Sequence, residues 1–310
     1  MNFVYFGEEK CQGKYKSGPK KGKSCENAAY YKQKDVLLCG VHSRKDLRME
    51  LKKNPNAAKI KEELLKSRQK LVELEAKKNK KSGYQGHVVC SKMRMMKDPE
   101  HLDGYLKIFP NFKHDNRKDG FGCARLSPKS LGPVKHGQPN LPDALNIENF
   151  HQGSKCFESE IEQGKPSKTF YTTQLEMFND PVPHRHKEAA PGVGNRNICK
   201  FWVWITQDGE EKHLSYVDSR QFYCNFYERL VVKEAQYKKL IEMLENGTNL
   251  QIIGYDAYDV AQQDEETIAE ILDRCYKDET RPFGHELVLF SMLVLEPEEY
   301  PWRKYKTEEF

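Results

Sequence analysis

The 310-residue sequence predicts an α+β protein with three parts: a small N-terminal module (residues 1–50), a linker helix (51–83) and a helix-rich body with a short β-hairpin (84–310). Three observations support this division. Cysteines and a histidine recur among turn-forming glycines near the N-terminus. A segment rich in Lys and Glu with helical periodicity follows. The rest of the chain combines amphipathic helical patterns with an Asp-Gly turn between two apolar runs.

The charge is distributed unevenly along the chain. Residues 1–100 contain 25 Lys and Arg against 12 Asp and Glu, a net charge of +13, and the remaining residues contain 26 against 34, a net charge of −8. A basic head on an acidic body indicates two parts with different tasks. We expect no membrane span and no signal peptide, because no apolar run is long enough for either. The nine cysteines, an odd number, then favour a reducing compartment such as the cytoplasm or nucleus.

The N-terminal module contains a candidate metal site. Cys11, Cys25, Cys39 and His42 follow the spacing C-x13-C-x13-C-x2-H. Three thiolates and one imidazole are an accepted ligand set for structural zinc, and a segment with so little core needs a metal in order to fold. We therefore expect a structural zinc ion. The alternative is three unrelated cysteines and a surface histidine, since the long gaps are less specific than paired CxxC motifs.

Basic residues surround this motif, with Tyr15, Tyr30 and Tyr31 between them. The basic residues are Lys14, Lys16, Lys20, Lys21, Lys23, Lys32, Lys34, Arg44, Lys45 and Arg48. Basic and aromatic side chains together suit contacts with the phosphates and bases of DNA or RNA. The alternative is a solvated surface, because charge alone gives no specificity.

The remaining elements are predicted from periodicity and turn residues. Residues 84–145 are rich in Gly and Pro and predict an ordered loop. The predicted helices cover 55–81, 146–157, a segment from Asp218 or Ser219 to Leu230, a segment around 237–244 that stops at Gly247, and 265–276. The predicted strands cover 201–206, 213–217 and 250–255. Residues 283–295 are a buried helix or strand, which periodicity does not decide.

A polar stripe lies on the helix predicted for residues 146–157. Glu148, His151, Gln152 and Lys155 fall at i, i+3, i+4 and i+7 and share one face. A carboxylate, an imidazole, an amide and an ammonium together can bind a polar ligand and transfer protons. On periodicity alone, an exposed polar face explains the stripe equally well.

Asn146–Lys155 resembles the Glu-His-x-x-Gln-x-x-Lys helix of the NADAR (YbiA-like) family, whose members are N-glycosidases of ADP-ribose and riboflavin-pathway metabolites. Glu148, Gln152 and Lys155 match the family positions, and His151 is offset from the family histidine. The similarity covers roughly residues 125–295. Later segments in a similar order are Ser219–Leu230, Gly254–Asp256 and Phe283–Leu287. The layout also resembles uncharacterised proteins of large DNA viruses that carry an N-terminal Cys/His module.

The resemblance implies hydrolysis of an N-glycosidic bond in an ADP-ribose-type or ribosyl-nucleotide adduct. Its transition state resembles an oxocarbenium ion and needs a nearby carboxylate, which we expect to be Glu148. His151 or Asp256 would ease the departure of the base. Substrate binding is expected from Gln152, Lys155, Arg220 and Tyr255, with the cations on phosphates and the tyrosine stacked on a base. Arg220 as a helix-surface residue and Asp256 as a strand-end turn residue are the alternatives.

Two other functions stay open at this point. The basic head favours a non-enzymatic, zinc-dependent nucleic-acid-binding or virion protein, found in the host cytoplasm or the virion if the chain is viral. The second open function is that of a protein that binds ADP-ribose without cleaving it. His285-Glu286, beside the most apolar run, is either a structural pair at a helix start or part of a pocket.

Overall fold

The computed structural model describes residues 4–94, 99–189, 198–261 and 266–305. These residues form a mixture of α-helices and β-strands, which confirms the predicted α+β class. Contacts within the chain define two compact units, one up to Ser67 and one from Arg68 onward, which we call the N-terminal and C-terminal units. The predicted three-part division at residues 50 and 83 stays a prediction.

The N-terminal unit contains a small antiparallel sheet with strand order β2-β1-β3. Its strands are β1 (Tyr31–Gln33), β2 (Val36–Leu38) and β3 (Met49–Glu50). Helix α1 (Ala57–Lys81) begins in this unit, and its bounds agree with the predicted helix over 55–81. Such short strands bury little, so the sheet alone does not account for the stability of this unit.

The C-terminal unit is built from the following elements. In chain order they are β4 (Val88–Lys92), β5 (Tyr105–Phe109), β6 (Phe121–Gly122), α2 (Ile147–Gly153), β7 (Lys155–Phe157), β8 (Ile161–Glu162), β9 (Lys165–Pro166), α3 (Lys168–Asn179), β10 (Cys199–Ile205), β11 (Glu211–Leu214), α4 (Tyr216–Val231), α5 (Ala235–Glu245), β12 (Asn249–Gly254), α6 (Ile268–Lys277), α7 (His285–Val294) and α8 (Pro301–Lys304).

A parallel sheet with strand order β4-β12-β5-β6 organises this unit. Three of its strands, β4, β5 and β6, lie in the segment 84–145, so the prediction of an ordered loop there was wrong. Strand β5 was not predicted because it contains a lysine, Lys107. In the structure this lysine is buried, and its Nζ donates to the Pro99 carbonyl at 2.9 Å. A lysine amid apolar residues reads as a surface position, although a satisfied ammonium can be buried.

The second sheet is antiparallel, with strand order β11-β10-β7. The predicted hairpin is present as β10 and β11, joined through Asp208-Gly209. The helix predicted over 146–157 ends at Gly153 instead, and Lys155 begins β7, which pairs with β10. The predicted stripe is therefore not a single helix face. Lys155 reaches the same region from the adjacent strand.

Capping residues account for the bounds of the later helices. The side chain of Ser215 caps α4, so the helix begins before the predicted Asp218 or Ser219, and the strand predicted over 213–217 ends at Leu214. Helix α5 is followed by Gly247 at φ +85°, as predicted. Residues 285–294 are helical, which decides the ambiguity over 283–295.

Phe150 lies at the centre of the largest core cluster. Its ring packs against those of Phe178, Trp204, Phe222 and Phe226 at centroid separations of 5.2–6.4 Å. These contacts join α2, α3, α4 and β10, and thus hold α2 in place beside α4. Within the described residues, no helix has the length and apolarity that a bilayer span requires.

Candidate functional site

The four predicted metal ligands of the N-terminal unit converge. The sulfurs of Cys11, Cys25 and Cys39 and a ring nitrogen of His42 all lie within 4.8 Å of one another. His42 Nδ1 is 3.4 Å from Cys11 Sγ and 3.3 Å from Cys39 Sγ, and the Cys25 and Cys39 sulfurs are 3.9 Å apart. Tetrahedral zinc with Zn–S bonds of about 2.3 Å places sulfur ligands about 3.8 Å apart. The four atoms form a possible metal site, and zinc stays the predicted ion.

Local backbone geometry builds this cluster. The His42 amide donates to the Cys39 carbonyl at 3.2 Å, and this tight turn brings both ligands to one side. At Gly13, an added Cβ would lie 2.6 Å from the His42 ring, so a larger residue would displace that ligand. The Gly13 amide also donates to Cys11 Sγ at 3.4 Å, which supports a thiolate at that position.

The Cys39 thiol has a lowered pKa and therefore ionises more readily than an ordinary cysteine. Burial opposes the charged form, but hydrogen bonds from the backbone and ring of His42 and from the backbone of Val41 outweigh it and lower the pKa to about 6. Burial raises the pKa of Cys11, so Cys39 ionises first. Because metals bind thiolates rather than thiols, this order suits metal capture near neutral pH.

A cleft of about 890 Å³ lies in the C-terminal unit, at the carboxyl end of the parallel sheet. Residues that follow β4, β5 and β12 line one side, and α2, α4 and the first turn of α7 line the other. In parallel sheets, the connections diverge at the carboxyl ends of the strands and leave a crevice where ligands bind. The missed strands β4 and β5 are therefore what creates this cleft.

All seven residues proposed from the sequence for catalysis or substrate binding line this cleft. They are Glu148, His151, Gln152, Lys155, Arg220, Tyr255 and Asp256. They come from α2, β7, α4 and the end of β12, which are distant in the sequence.

Glu148, Gln152 and Lys155 form a hydrogen-bonded chain along the cleft. Gln152 Nε2 donates to Glu148 Oε1 at 3.2 Å, and Lys155 Nζ donates to Gln152 Oε1 at 3.0 Å. Lys155 also lies over the Trp202 ring, at 5.7 Å from its centroid. Burial lowers the pKa of Lys155, while Cys199 and Glu148 oppose this effect. The amide of Gln152 thus fixes the carboxylate and the ammonium relative to one another.

His151 differs from its predicted role as an acid. Burial among Trp202, Phe222 and Tyr223 lowers its pKa well below the usual value, and Lys155 lowers it further. The ring is therefore neutral near pH 7 and supplies no imidazolium proton. Its Nδ1 is buried and has no hydrogen-bond partner in the described residues, which leaves this atom available to a ligand.

Arg220 lines the cleft, but its guanidinium is occupied. Nη1 donates to the carbonyls of Cys275 and Tyr276, and Nη2 donates to those of Asp278 and Arg281 at 2.7 and 2.6 Å. These carbonyls lie at and beyond the C-terminal end of α6, where a cation is favourable. Both amino groups of Arg220 therefore already have main-chain partners, so they are not available for the phosphate contact expected from the sequence.

Tyr255 and Asp256 lie at the exposed rim of the cleft, directly after β12. The Tyr255 ring is 39% exposed, and its centroid is 6.0 Å from that of His114. Its exposure leaves the ring open to a ligand, and stacking on a base stays a prediction. Asp256 is exposed beside Tyr255.

The cleft contains cations that the sequence analysis did not assign to it. None of the five has an ion-pair partner among the described residues, and four are exposed while Lys129 is half-buried. They are Lys92, Arg94, Lys113, Lys129 and Arg185. Lys92, Arg94 and Lys113 lie at or just after the ends of β4 and β5, two strands that were not predicted from the sequence. Counted with Lys155 and Arg220, seven cations line the cleft against three carboxylates, although residues 101–310 carry a net negative charge.

Tyr223 was also missed. It comes from α4 and lines the cleft. Burial raises its pKa well above the usual value, and the carboxylates of Glu148 and then Glu286 raise it further. The phenol therefore keeps its proton and stays available as a hydrogen-bond donor in the cleft. Its helical spacing with core residues of α4 predicts only a buried aromatic ring.

No family model, no curated protein and no solved structure matches this chain. The function therefore has to be argued from the chemistry of the two sites. The cleft combines a fixed carboxylate, a protonated phenol, a neutral imidazole and a cationic rim. This set can bind a phosphorylated ligand by its charges and place a neutral part of it against Glu148.

Proposed function

We propose that the C-terminal unit is an N-glycosidase that hydrolyses the N-glycosidic bond of an ADP-ribose-type or ribosyl-nucleotide adduct. The observation that carries the proposal is the position of Glu148 in a cleft lined by seven cations and by Tyr255. A cleft of this size accommodates a dinucleotide-sized ligand. The resemblance of Asn146–Lys155 to the NADAR helix gives independent support.

Glu148 acts at the anomeric carbon. As the C1′–N bond breaks, positive charge develops on C1′ and the ring oxygen, and a carboxylate beside them lowers the barrier. A water molecule forms the new O–C1′ bond and transfers its proton to Glu148. The hydrogen bond from Gln152 at 3.2 Å holds this carboxylate in position.

The leaving base departs with the electron pair of the broken bond and needs a proton or a hydrogen bond. Tyr223 is suited to donate a hydrogen bond to it, because its phenol stays protonated, and the departing base takes its proton from solvent water. His151, neutral and with a free Nδ1, is suited to contact the base or the sugar rather than to act as a strong acid. Asp256 at the rim is suited to contact the ligand from solvent.

The phosphates are held by Lys155 and the rim cations. Lys155 is half-buried and oriented by Gln152, and the exposed side chains of Lys92, Lys113 and Arg185 have no ion-pair partners among the described residues. Anions bound here replace water around unpaired cations, which favours a ligand with two phosphates over one with a single charge.

The test compares Glu148→Gln with wild type and with Glu245→Gln, a control on the exposed end of α5. Release of the free base from ADP-ribosylated and ribosyl-nucleotide substrates is followed by chromatography. We expect Glu148→Gln to lower kcat by roughly 10²–10⁴-fold with an unchanged melting temperature. Equal turnover by Glu148→Gln and wild type would show that Glu148 takes no part in the mechanism. Ligand binding without any turnover in wild type identifies a reader of ADP-ribose instead.

A second candidate function rests on the N-terminal unit. The loop from Lys14 to Lys23 carries five exposed lysines, and none of them has an ion-pair partner among the described residues. The Cys/His cluster holds both ends of this loop, since Cys11 and Cys25 flank it. We propose that this loop binds the phosphates of DNA or RNA, and so brings a nucleic-acid adduct to the chain.

This second proposal predicts a salt-dependent affinity. Neutralising Lys20, Lys21 and Lys23 together should reduce the slope of log K against log salt by about 0.7–0.9 for each lost contact. The measurement is fluorescence anisotropy with a labelled single strand and a duplex. A matched triple variant in α1, at Lys59, Lys61 and Lys66, is the control. An unchanged slope in the loop variant removes this loop from nucleic-acid binding.

A further inference from the structure

Glu286 is a buried carboxylate in the wall of the cleft. It lies in the first turn of α7, a ten-residue helix, and is only 1% exposed. It lines the same cleft as Glu148. A carboxylate is favourable at a helix N-terminus, but its burial still removes most of its hydration. A buried carboxylate beside a ligand cavity therefore needs hydrogen-bond donors.

Two glycines shape the space around this carboxylate. At Gly254, the last residue of β12, an added Cβ would lie 2.0 Å from Glu286 Cγ and 2.2 Å from its Oε1. At Gly284, an added Cβ would lie 2.7 Å from Glu286 Oε2. The backbone at both positions closes around the carboxylate, so its place at the end of the central strand is fixed by close packing.

The carboxylate lacks a hydrogen-bond donor. Oε2 is buried and accepts no hydrogen bond among the described residues. His285 Nδ1 lies 3.1 Å from it, within ion-pair range, but without hydrogen-bond geometry. The other ring nitrogen of His285 lies 3.3 Å from the Pro110 carbonyl, which accepts only from N–H. In the tautomer that has its proton on that nitrogen, Nδ1 presents a lone pair to Glu286.

The surroundings indicate which kind of donor fits. A cation is disfavoured by the seven basic residues that line the cleft. In addition, the only group of three or more metal-ligating side chains among the described residues is the Cys/His cluster, so Glu286 has no partners for an oxygen-ligated metal. Neutral hydroxyls fit both facts, and carboxylates bind the hydroxyls of ribose in dinucleotide sites.

We propose that Glu286 forms a ribose subsite, in which its carboxylate accepts hydrogen bonds from the 2′- and 3′-hydroxyls of the sugar whose C1′ faces Glu148. Glu286 and Glu148 line the same cleft, so both carboxylates can reach one ligand. The identity of the sugar rests on the proposed function. The subsite makes the site specific for ribose over 2-deoxyribose, because the deoxy sugar leaves a buried charge without its donor.

The test measures binding of ADP-ribose and of its analogue without the 2-hydroxyl on the terminal ribose, by isothermal titration calorimetry. We expect wild type to bind ADP-ribose about 10- to 100-fold more tightly than the analogue, as for a hydrogen bond to a charged group. Glu286→Gln should lose this preference, and the control Glu245→Gln should keep it. A preference that survives in Glu286→Gln overturns the subsite, as does equal binding of both ligands by wild type.

A melting curve separates this role from a structural one. Glu286 Oε2 accepts no hydrogen bond among the described residues, so Glu286→Gln should melt no lower than wild type. A clearly lower melting midpoint would make Glu286 a structural partner of His285 and overturn the proposal. Mg²⁺ binding that is lost in Glu286→Gln would also overturn it. If wild type prefers ribose but hydrolyses no substrate, the ribose subsite stands and the proposed glycosidase activity is overturned. If Glu148-dependent hydrolysis occurs without a preference for ribose, the glycosidase activity stands and the ribose subsite is overturned. Absence of ADP-ribose binding by wild type overturns both.

Discussion

The two units of the chain bury different kinds of side chains. The buried cluster of the N-terminal unit consists of Cys11, Cys25, Leu38 and Cys39, so three of its four members are proposed metal ligands. The C-terminal unit buries a large cluster of aromatic and aliphatic residues around Phe150. A short segment with few apolar residues needs a metal to offset its chain entropy, whereas a longer one is stabilised by apolar burial. The stability of the two units should therefore depend on different conditions.

The largest expected effect is the loss of the metal cluster. Cys39→Ser, or chelation, should unfold the N-terminal unit, because structural zinc contributes on the order of 10 kcal/mol to such modules. Zinc content and trypsin cleavage in the Lys14–Lys23 loop measure this change. Tryptophan fluorescence reports the other unit alone, since Trp202, Trp204 and Trp302 all lie there. It should be unchanged.

The matched control for this experiment is Cys199→Ser, a half-exposed thiol of the C-terminal unit. This variant should retain the metal. If Cys39→Ser keeps both its metal content and its resistance to trypsin, the cluster does not stabilise the N-terminal unit and the contrast between the two units is lost.

Phe150→Ala should have the second largest effect, in the opposite unit. Removal of a fully buried ring that packs on four other aromatic rings should lower the free energy of unfolding by about 3–5 kcal/mol. Urea unfolding followed by tryptophan fluorescence measures it, and the zinc content should not change. Phe112→Ala, at a side chain that is 44% exposed, is the control. Similar losses in both variants would contradict this core assignment.

Arg220→Met should destabilise the C-terminal unit by about 3 kcal/mol, because the carbonyls at the end of α6 lose a charged donor. Lys155→Met should affect stability less and ADP-ribose affinity more, since among the described residues the contacts of the Lys155 ammonium are one hydrogen bond to Gln152 and the face of the Trp202 ring. The two quantities are measured by urea unfolding and calorimetry. A stable Arg220→Met protein with lost affinity would restore the phosphate role predicted from the sequence.

Acid should weaken the C-terminal unit by a smaller, graded amount. Burial lowers the pKa of His136, His151 and His186, the last to about 4 from a reference of 6.5. As the pH falls below 6.5, the unfolded chain binds protons that the folded chain does not, so stability is lost. The limiting slope is about 1.4 kcal/mol per pH unit for each histidine.

His186→Gln tests this slope between pH 7.5 and 5, by urea unfolding followed through tryptophan fluorescence. The variant should show a shallower pH dependence than wild type. His213→Gln, at a side chain that is 34% exposed and paired with Glu211, is the control. An unchanged slope in His186→Gln would show that other groups control the acid sensitivity of this unit.

Several local features could be predicted from the sequence because their signals are local. The spacing of Cys39 and His42 sets a tight turn, and Gly247 ends a helix in a left-handed conformation at φ +85°. Glu148 and Gln152 were placed together because residues four apart share one helix face. The sequence also singled out Lys155, although from the wrong element, because the helix ends before it and the following strand returns it to the same cleft.

The sequence by itself determined the α+β class, the four convergent ligands of the N-terminal unit and most helices, since these follow from periodicity, caps and spacing. Only the tertiary structure decided that β12 pairs with β4 and β5, and this pairing brings Lys92, Lys113 and Glu286 to one cleft. The tertiary structure also places the Arg220 guanidinium against the carbonyls at the C-terminal end of α6. The physical reason is that the pairing of β12 with β4 and β5 joins residues more than 100 positions apart, and the burial of Arg220 depends on carbonyls 55–61 positions away, which no local pattern records.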